Sequence, residues 1–502
     1  MKDLLLGIDI GTSACKAALF SPDGSVMAMT SETYPVYYPK SGWVEQNPLE
    51  WWEAVCRAIR RLMEEGKVEP GRIAGIGVDG QSWSAIPVDR EGNCLGNTPI
   101  WMDTRARDIC AKVKKQGLED VIFSVSGNGF TPSYTTPKMM WMKENRPDIY
   151  EKTAYFLQSN SFIVMKLTGQ FSQDMSQGYG IHFFNQETGK YDSDLAKELG
   201  LSSAMVPEAV ACHQIVGRVT EKAAGETGLI SGIPVCAGGL DAACGSLGAG
   251  VVTVGQTQEQ GGQAGGMSIC EDRPKSHKDL ILSPHVVPGR WLLQGGTVGG
   301  GGILRWMKKE LAPEMSFDEI TSLADTVSPG SDGVLFLPYM AGERSPIWNP
   351  DAKGVFYGLG YEKTLAHMLR AGLESVAFSL EHNLRCAKEA GAQVTSLYAM
   401  GGAANSSMWT QMKADVTGCT IYVPASDTAT TLGAVIVVGV GVGLYSDFES
   451  AVKKTVTIQR VHKPDAKRSE IYGKQMERYL TLSACMQQAF DQLIISRNPE
   501  RL

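Results

Sequence analysis

Two closely joined α/β domains are the fold this sequence predicts, and three features predict it. Short apolar runs of strand character alternate with amphipathic helical patterns as far as about residue 247. A second series of the same kind opens at Gly248-Ala249-Gly250. The chain is 502 residues long, several times a common domain, yet it contains no low-complexity linker and no internal repeat. The expected division is residues 1–247 and 248–502.

The elements follow in order. Leu4 to Ile10 is a buried-strand pattern, Gly11-Thr12-Ser13 turns the chain, and Cys15 to Phe20 resumes an apolar run. Ser21-Pro22-Asp23-Gly24 turns it again, so that Val26 to Thr30 can pair back. Asn47 then suits a helix N-cap, Pro48 the first helical position and Glu50 a capping-box partner. Trp52, Val55, Ile59 and Leu62 follow at helical spacing. Ile73 to Val78 is the next strand and ends at Asp79. The second series includes a strand at Val334 to Leu337, a long helix from about Leu365 to Ala390, a strand from Ser396 to Met400 and a helix from Ser407 to Val416. A final helix runs from Ser469 to Ile495.

Composition excludes several classes. Apolar residues make up 43% and charged residues 20%, and the net charge is −7 with no long basic run, which disfavours nucleic acid or anionic membranes as partners. The apolar tract Leu432–Tyr445 is too short and too glycine-rich to span a bilayer. The opening residues are not a signal peptide, because Asp9 interrupts a short apolar run and no small-residue cleavage site follows. Eleven scattered cysteines with no Cys-x-x-Cys, and seven histidines with no metal-ligand spacing, fit reduced thiols in a cytoplasmic protein better than zinc or disulfides.

The 56 glycines, about 11% of the chain against a usual ~7%, cluster beside apolar runs. Gly75, Gly77 and Gly80 match Gly-x-Gly-x-x-Gly, but they lie in a strand and its exit, so they are not a dinucleotide fingerprint. No Walker A motif occurs. Asp9 at a strand end, followed by Gly11, Thr12 and Ser13, suits a hydrated Mg²⁺ beside a phosphate-binding turn; the plainer alternative is a hairpin whose Asp9 caps the turn. Gln294 to Gly302, with Gly296, Thr297 and Gly300, precedes a helix whose N-terminus would face a nucleotide phosphate. Gly401, Gly402 and Asn405 follow a strand and suit close approach to adenosine. Simple tight packing explains either cluster equally well. Together with Asp9, these turns outline a nucleotide cleft between two domains of the actin-like ATPase (ribonuclease H-like) type.

At this point the sequence resembles the FGGY carbohydrate kinase family over essentially its whole length. Ser133 to Asn145 is similar to the family's first signature. Gly354 to Leu359, His367-Met368 and Ala371 to Glu374 resemble the second, with Gly372 where a larger residue is usual. Gly342 to Pro350 and Gly42 to Pro48 are also family-like. The resemblance implies transfer of a phosphoryl group from Mg-ATP to a sugar or polyol hydroxyl. Gly238-Gly239-Leu240-Asp241-Ala242-Ala243 matches the segment that carries the family's general base, which makes Asp241 the proton acceptor; as a residue alone it also suits a helix N-cap. Asp9, with Asp241 beside it, would hold the Mg²⁺, Thr12 would donate to a phosphate, and Lys16 would pack nearby. Trp306 and Trp409 are read as core or surface aromatics.

Two departures from the family pattern stand out. Where a hydroxyl-bearing phosphate loop is usual, this chain has Gly261-Gly262-Gln263-Ala264-Gly265-Gly266, leaving backbone N–H groups and the Gln263 amide as donors. The turn Asp79-Gly80-Gln81-Ser82-Trp83 aligns with the sugar-contacting turn of xylulose kinases, but Ser82-Trp83 stands where Met-His is typical. Gln81, Ser82 and Trp83 are thus expected on the sugar, with the indole stacking on it. Asp103, in Trp101 to Arg105, is expected to accept from sugar hydroxyls, with pairing to Arg105 or Arg107 as the alternative. The resemblance makes D-xylulose the default substrate; ribulose, L-xylulose or a tetritol stay open. A nucleotide-binding regulator without turnover is the rival from another class. Homodimers are common in the family, and no interface is legible here.

Overall fold

A computed structural model describes residues 2–425 and 428–497 of the chain. The first sheet starts with a meander of β1 (Leu4–Ile10), β2 (Ala14–Phe20) and β3 (Val26–Thr33). β4 (Ile73–Gly80) runs parallel to β1, and the sheet is completed by β5 (Ile215–Arg218), β6 (Pro234–Cys236) and the short β7 (Gly239–Leu240). The strand order is β5-β6-β4-β1-β2-β3, with β7 joined to β4 beyond β6.

The second sheet contains β8 (Gln256–Gly261), β9 (Gly265–Glu271), β10 (Ile281–Pro284), β11 (Trp291–Thr297), β12 (Ser396–Met400), β13 (Thr420–Pro424) and β14 (Ile458–His462). Its order is β10-β11-β9-β8-β12-β13-β14. With β10 set aside, both sheets have the same plan: an antiparallel meander, two strands parallel to its first strand, and an antiparallel edge strand. This is the duplicated α/β arrangement of the actin-like ATPase fold.

β1 is apolar at nearly every position because both its faces are covered. Leu4, Leu6, Ile8 and Ile10 pack under α1 (Pro48–Gly66), on which Trp51, Trp52, Val55, Ile59 and Leu62 are buried. Asn47 caps that helix by accepting from Leu49 N at 3.0 Å. The expected capping box does not form, because Glu50 accepts from the Tyr37 hydroxyl at 2.8 Å instead.

Further helices are α2 (Asp241–Gly248), α3 (Gly301–Glu310), α4 (Phe317–Asp325), α5 (Leu365–Glu389), α6 (Ser407–Thr417), α7 (Ala429–Gly441) and α8 (Ala466–Arg497). α7 comes late in the sequence but packs on the first sheet, where Leu432, Val435 and Val438 join Leu5 and Leu247 in one core. The approach leaves no room for side chains. A Cβ on Gly77 would lie 2.1 Å from Ala434 O, and one on Gly433 would lie 1.9 Å from Cys244 O. Gly75 and Gly77 are therefore helix-packing glycines, as their place inside a strand implied. α2 and α7 form a tightly packed pair that joins the two halves. Among the described residues no helix is long and apolar enough to cross a membrane.

Candidate active site

Three carboxylates meet at the carboxyl ends of neighbouring strands of the first sheet. Asp9 on β1 stands beside Asp79 on β4 in the parallel register, and Gly239 on β7 flanks Asp79 from the other side. Asp241 follows two residues later as the first residue of α2. The crevice outside such strand ends is where open α/β sheets bind ligands. Asp241 accepts only from Ala242 N, at 2.7 Å, so it is not the helix N-cap; Leu240 holds that position. Burial, and then the charge of Asp9, hold the Asp241 carboxyl up at about 7. Burial also raises Asp9, against the attraction of Lys16, whose Nζ lies 3.8 Å away. Asp79 is fully buried; burial, reinforced by the charges of Asp9 and Asp241 and by a shared hydrogen bond with Asp9, pushes its carboxyl far above the usual range. The sequence places Asp79 in the sugar-contacting turn without a chemical role of its own.

Asp241 opens into a cavity of about 270 Å³ lined from both halves of the chain. The first half contributes Thr12, Ser82, Trp83, Trp101 and Tyr179; the second contributes Gln260, Gly265, Gly266, Gln294, Gly296 and Arg344, among others. Thr12 Oγ1 accepts from Trp101 Nε1 at 2.9 Å, which leaves the hydroxyl proton free to donate. Trp83 has a left-handed backbone, φ 61°, a strained conformation for a bulky residue and one that is over-represented at functional sites. Its ring stacks on Tyr134 at 4.1 Å and tilts against Tyr179 at 5.6 Å, so one face is already covered. Its Nε1 is buried without a partner. Tyr179 donates to Ser82 Oγ at 2.8 Å.

The first signature segment now has a physical role. It supplies Tyr134 and also the fully buried Lys138, whose Nζ donates to Trp83 O and Ile100 O, both at 2.8 Å. One lysine thereby ties the Trp83 turn to the Trp101 loop.

Two expected sugar contacts lie outside this cavity. Gln81 is buried and donates to Gln46 Oε1 at 2.8 Å. Asp103 is fully buried and accepts from Val44 N at 2.6 Å and from Arg105 N and Nε at 2.9–3.0 Å; the alternative of pairing with Arg105 is the one realised. A carboxylate two residues from an arginine in a tight loop satisfies itself locally.

A second cavity, of about 600 Å³, lies across the glycine-rich run. Gly261, Gly262, Gln263, Gly301, Leu304, Arg305, Phe317, Gly402, Asn405 and Trp409 are among its walls. Gly401 has φ 84° and presses on Gly261, where a Cβ would lie 2.9 Å from the Gly261 carbonyl, whereas Gly402 has open space before it. Trp409 is core, as expected, with Nε1 bonded to Leu373 O at 3.0 Å, yet it also reaches this wall; Trp306 stacks on Phe336.

The α3 N-terminus does not face this cavity freely, contrary to the sequence expectation. Gly301 N donates to Gly262 O at 2.8 Å and Gly302 N to Gln263 O at 3.0 Å. Gly300 is pressed against Ala264, and the Thr297 hydroxyl donates to Gly299 O at 3.0 Å. Gly296 lines the cavity that Asp241 opens into rather than the larger one. The Gln263 side chain is exposed, with its oxygen accepting from Arg305 Nη2. Ser13 is exposed and lines neither cavity, while Gly11 N closes the turn on Ala14 O at 3.2 Å.

The model of the N-terminal domain of the FGGY family of carbohydrate kinases matches residues 4–248, and that of the C-terminal domain matches residues 267–442. The chain belongs to the FGGY family of carbohydrate kinases. It is a phosphotransferase acting on a carbohydrate. It is 31% identical to a xylulose kinase of Staphylococcus epidermidis, over 94% of this chain and 95% of that protein. It is 28% identical to a gluconokinase of Bacillus subtilis (strain 168), over 98% of each. Among solved structures, a xylulose kinase from Rhodospirillum rubrum superposes with a TM-score of 0.91 at 29% identity, covering 97% of this chain and 100% of that one.

Proposed function

We propose that this FGGY kinase transfers the γ-phosphate of ATP to a hydroxyl of a ketopentose, with D-xylulose the first substrate to test. The observation that carries this reading is Asp241, a half-buried carboxylate with one backbone donor, facing a cavity that aromatic side chains line on one side and the glycine-rich run on the other. Asp241 takes the proton of the attacking hydroxyl as the new P–O bond forms. Trp83 lines the acceptor side of the cavity with its indole, and Ser82 lies beside it. Thr12 donates to a phosphate, and the adenosine lies against Gly262, Gly402 and Asn405 in the larger cavity.

A cation fits the carboxylate wall. Asp79 has only the neighbouring Asp9 carboxyl as a partner, and Asp241 stands on its other side. Among the described residues no His, Cys, Asp or Glu cluster forms a direct metal cage, which suits Mg²⁺ that keeps its waters and rests on Asp9 and Asp241. When bound, it would neutralise charge on the donor's phosphates. All eleven cysteines are free thiols, which supports a cytoplasmic site of action.

The test is coupled ADP release from Mg-ATP across ketopentoses, tetritols, hexuloses, glycerol and gluconate, the last because a gluconokinase is among the relatives. D-xylulose is expected to give the highest kcat/KM. A higher value for another acceptor transfers the assignment to that acceptor.

A further inference from the structure

Arg344 is the one cation lining the Asp241 cavity among the described residues. Its guanidinium makes a single hydrogen bond, to Thr297 O at 3.3 Å. The adjacent Glu343 carboxylate does not pair with it, because one oxygen accepts from Val298 N at 2.7 Å and Arg344 N at 2.8 Å. A half-buried guanidinium without a carboxylate partner keeps most of its N–H donors available to an anionic ligand in the cavity.

Its position shows which ligand group it meets. The Arg344 loop is docked on β11 by Ser345, whose N donates to Gly296 O at 3.0 Å and whose hydroxyl accepts from Gly296 N at 3.2 Å. A Cβ on Gly296 would lie 3.1 Å from Arg344 Nη2, so glycine there leaves space for the guanidinium. Gly296 is the register partner of Gly266, the last residue of the glycine-rich run. Arg344 thus sits at the root of that run, in the same cavity as Asp241. The Asp241 side carries Asp9 and Asp79 as well, a wall that repels phosphate. Phosphoryl transfer spreads negative charge over the equatorial oxygens of the moving group, and a planar guanidinium suits such oxygens.

We infer that Arg344 is a catalytic residue that binds the equatorial oxygens of the transferred phosphoryl group, holding it between the glycine-rich run and Asp241. The inference rests on the kinase reading above. In the step, the acceptor oxygen bonds to the γ-phosphorus, the bond from that phosphorus to the bridging oxygen breaks, and ADP leaves. The acceptor proton goes to Asp241, and Arg344 stays protonated throughout.

The experiment compares Arg344→Gln and Arg344→Lys with wild type for kcat, acceptor KM, ADP affinity and affinity for ADP with aluminium fluoride plus acceptor, a planar phosphoryl mimic. Arg344→Gln should lower kcat by about 100-fold or more and weaken the fluoride complex in step, with ADP affinity and acceptor KM little changed. Arg344→Lys should recover part of both, and carries the test if the glutamine variant does not fold. An active wild type with an equally active Arg344→Gln overturns the inference alone. So does a raised acceptor KM at unchanged kcat, which would put the guanidinium on the acceptor. A wild type that phosphorylates no acceptor overturns the kinase reading and this inference with it.

Discussion

Asp241 is basic enough to take a proton only when its carboxyl is ionised, and its surroundings oppose ionisation. With burial and Asp9 holding it at about 7, kcat/KM should rise with pH up to about 7 and level off above. The same shift favours the protonated form in the fold. This residue's contribution to stability is therefore complete below the unfolded value of 3.8 and is lost as pH rises through about 7. Trp83 offers a second residue-scale test. Trp83→Ala removes the indole from the cavity wall, so the acceptor KM should rise about five- to tenfold, the worth of one aromatic contact, with ADP affinity little changed. Asp9 was legible in the sequence because a carboxylate inside an apolar strand needs a reason, and Asp241 because its Gly-Gly-x-Asp setting matched a family motif. Asp103 was misjudged because its satisfaction by Arg105 and Val44 N is a matter of loop geometry. Arg344, Tyr179 and Trp101 come from segments far apart in the chain, and only the tertiary fold brings them to one cavity.

Strands and helices were more legible than the loops that join them. The strand Ser396–Met400 and the start of α1 follow from local apolar runs and capping chemistry, which tertiary context did not override. The path of α7 did not follow. Its all-round apolar sequence predicts burial, but not that it crosses to the first sheet and rests on Gly7, Gly75 and Gly77. The glycines there make a sharp contrast. Gly77→Ala places a methyl 2.1 Å from a backbone oxygen and should cost about 1–3 kcal/mol in denaturant unfolding. Gly402→Ala meets open space and should change stability by less than about 0.5 kcal/mol while weakening ADP binding, since the methyl enters the larger cavity. The α3 N-terminus shows the limit of motif reading: a glycine run before a helix says that backbone N–H groups are available, and here the Gly262 and Gln263 carbonyls accept two of them.

At the scale of the whole molecule, two sheets of the same plan face each other across the cavity that holds Asp241, joined through α2 and α7. Each half has a core of its own and a third core, with Leu5 and Phe20 of one sheet and Cys270 and Leu292 of the other, joins them; a small closure about that joint would exclude water from the transferred group. Small-angle scattering should show a smaller radius of gyration with D-xylulose and a non-hydrolysable ATP analogue together than with either alone. An unchanged radius would count against closure. Whether Asp241 is the base of a carbohydrate kinase is decided by turnover of D-xylulose and Mg-ATP by wild type and Asp241→Asn side by side at a pH above 7. The wild type should make sugar phosphate, and the variant should show a kcat lower by about 10²–10⁴-fold with ADP affinity retained. Equal turnover by the two proteins would contradict that role.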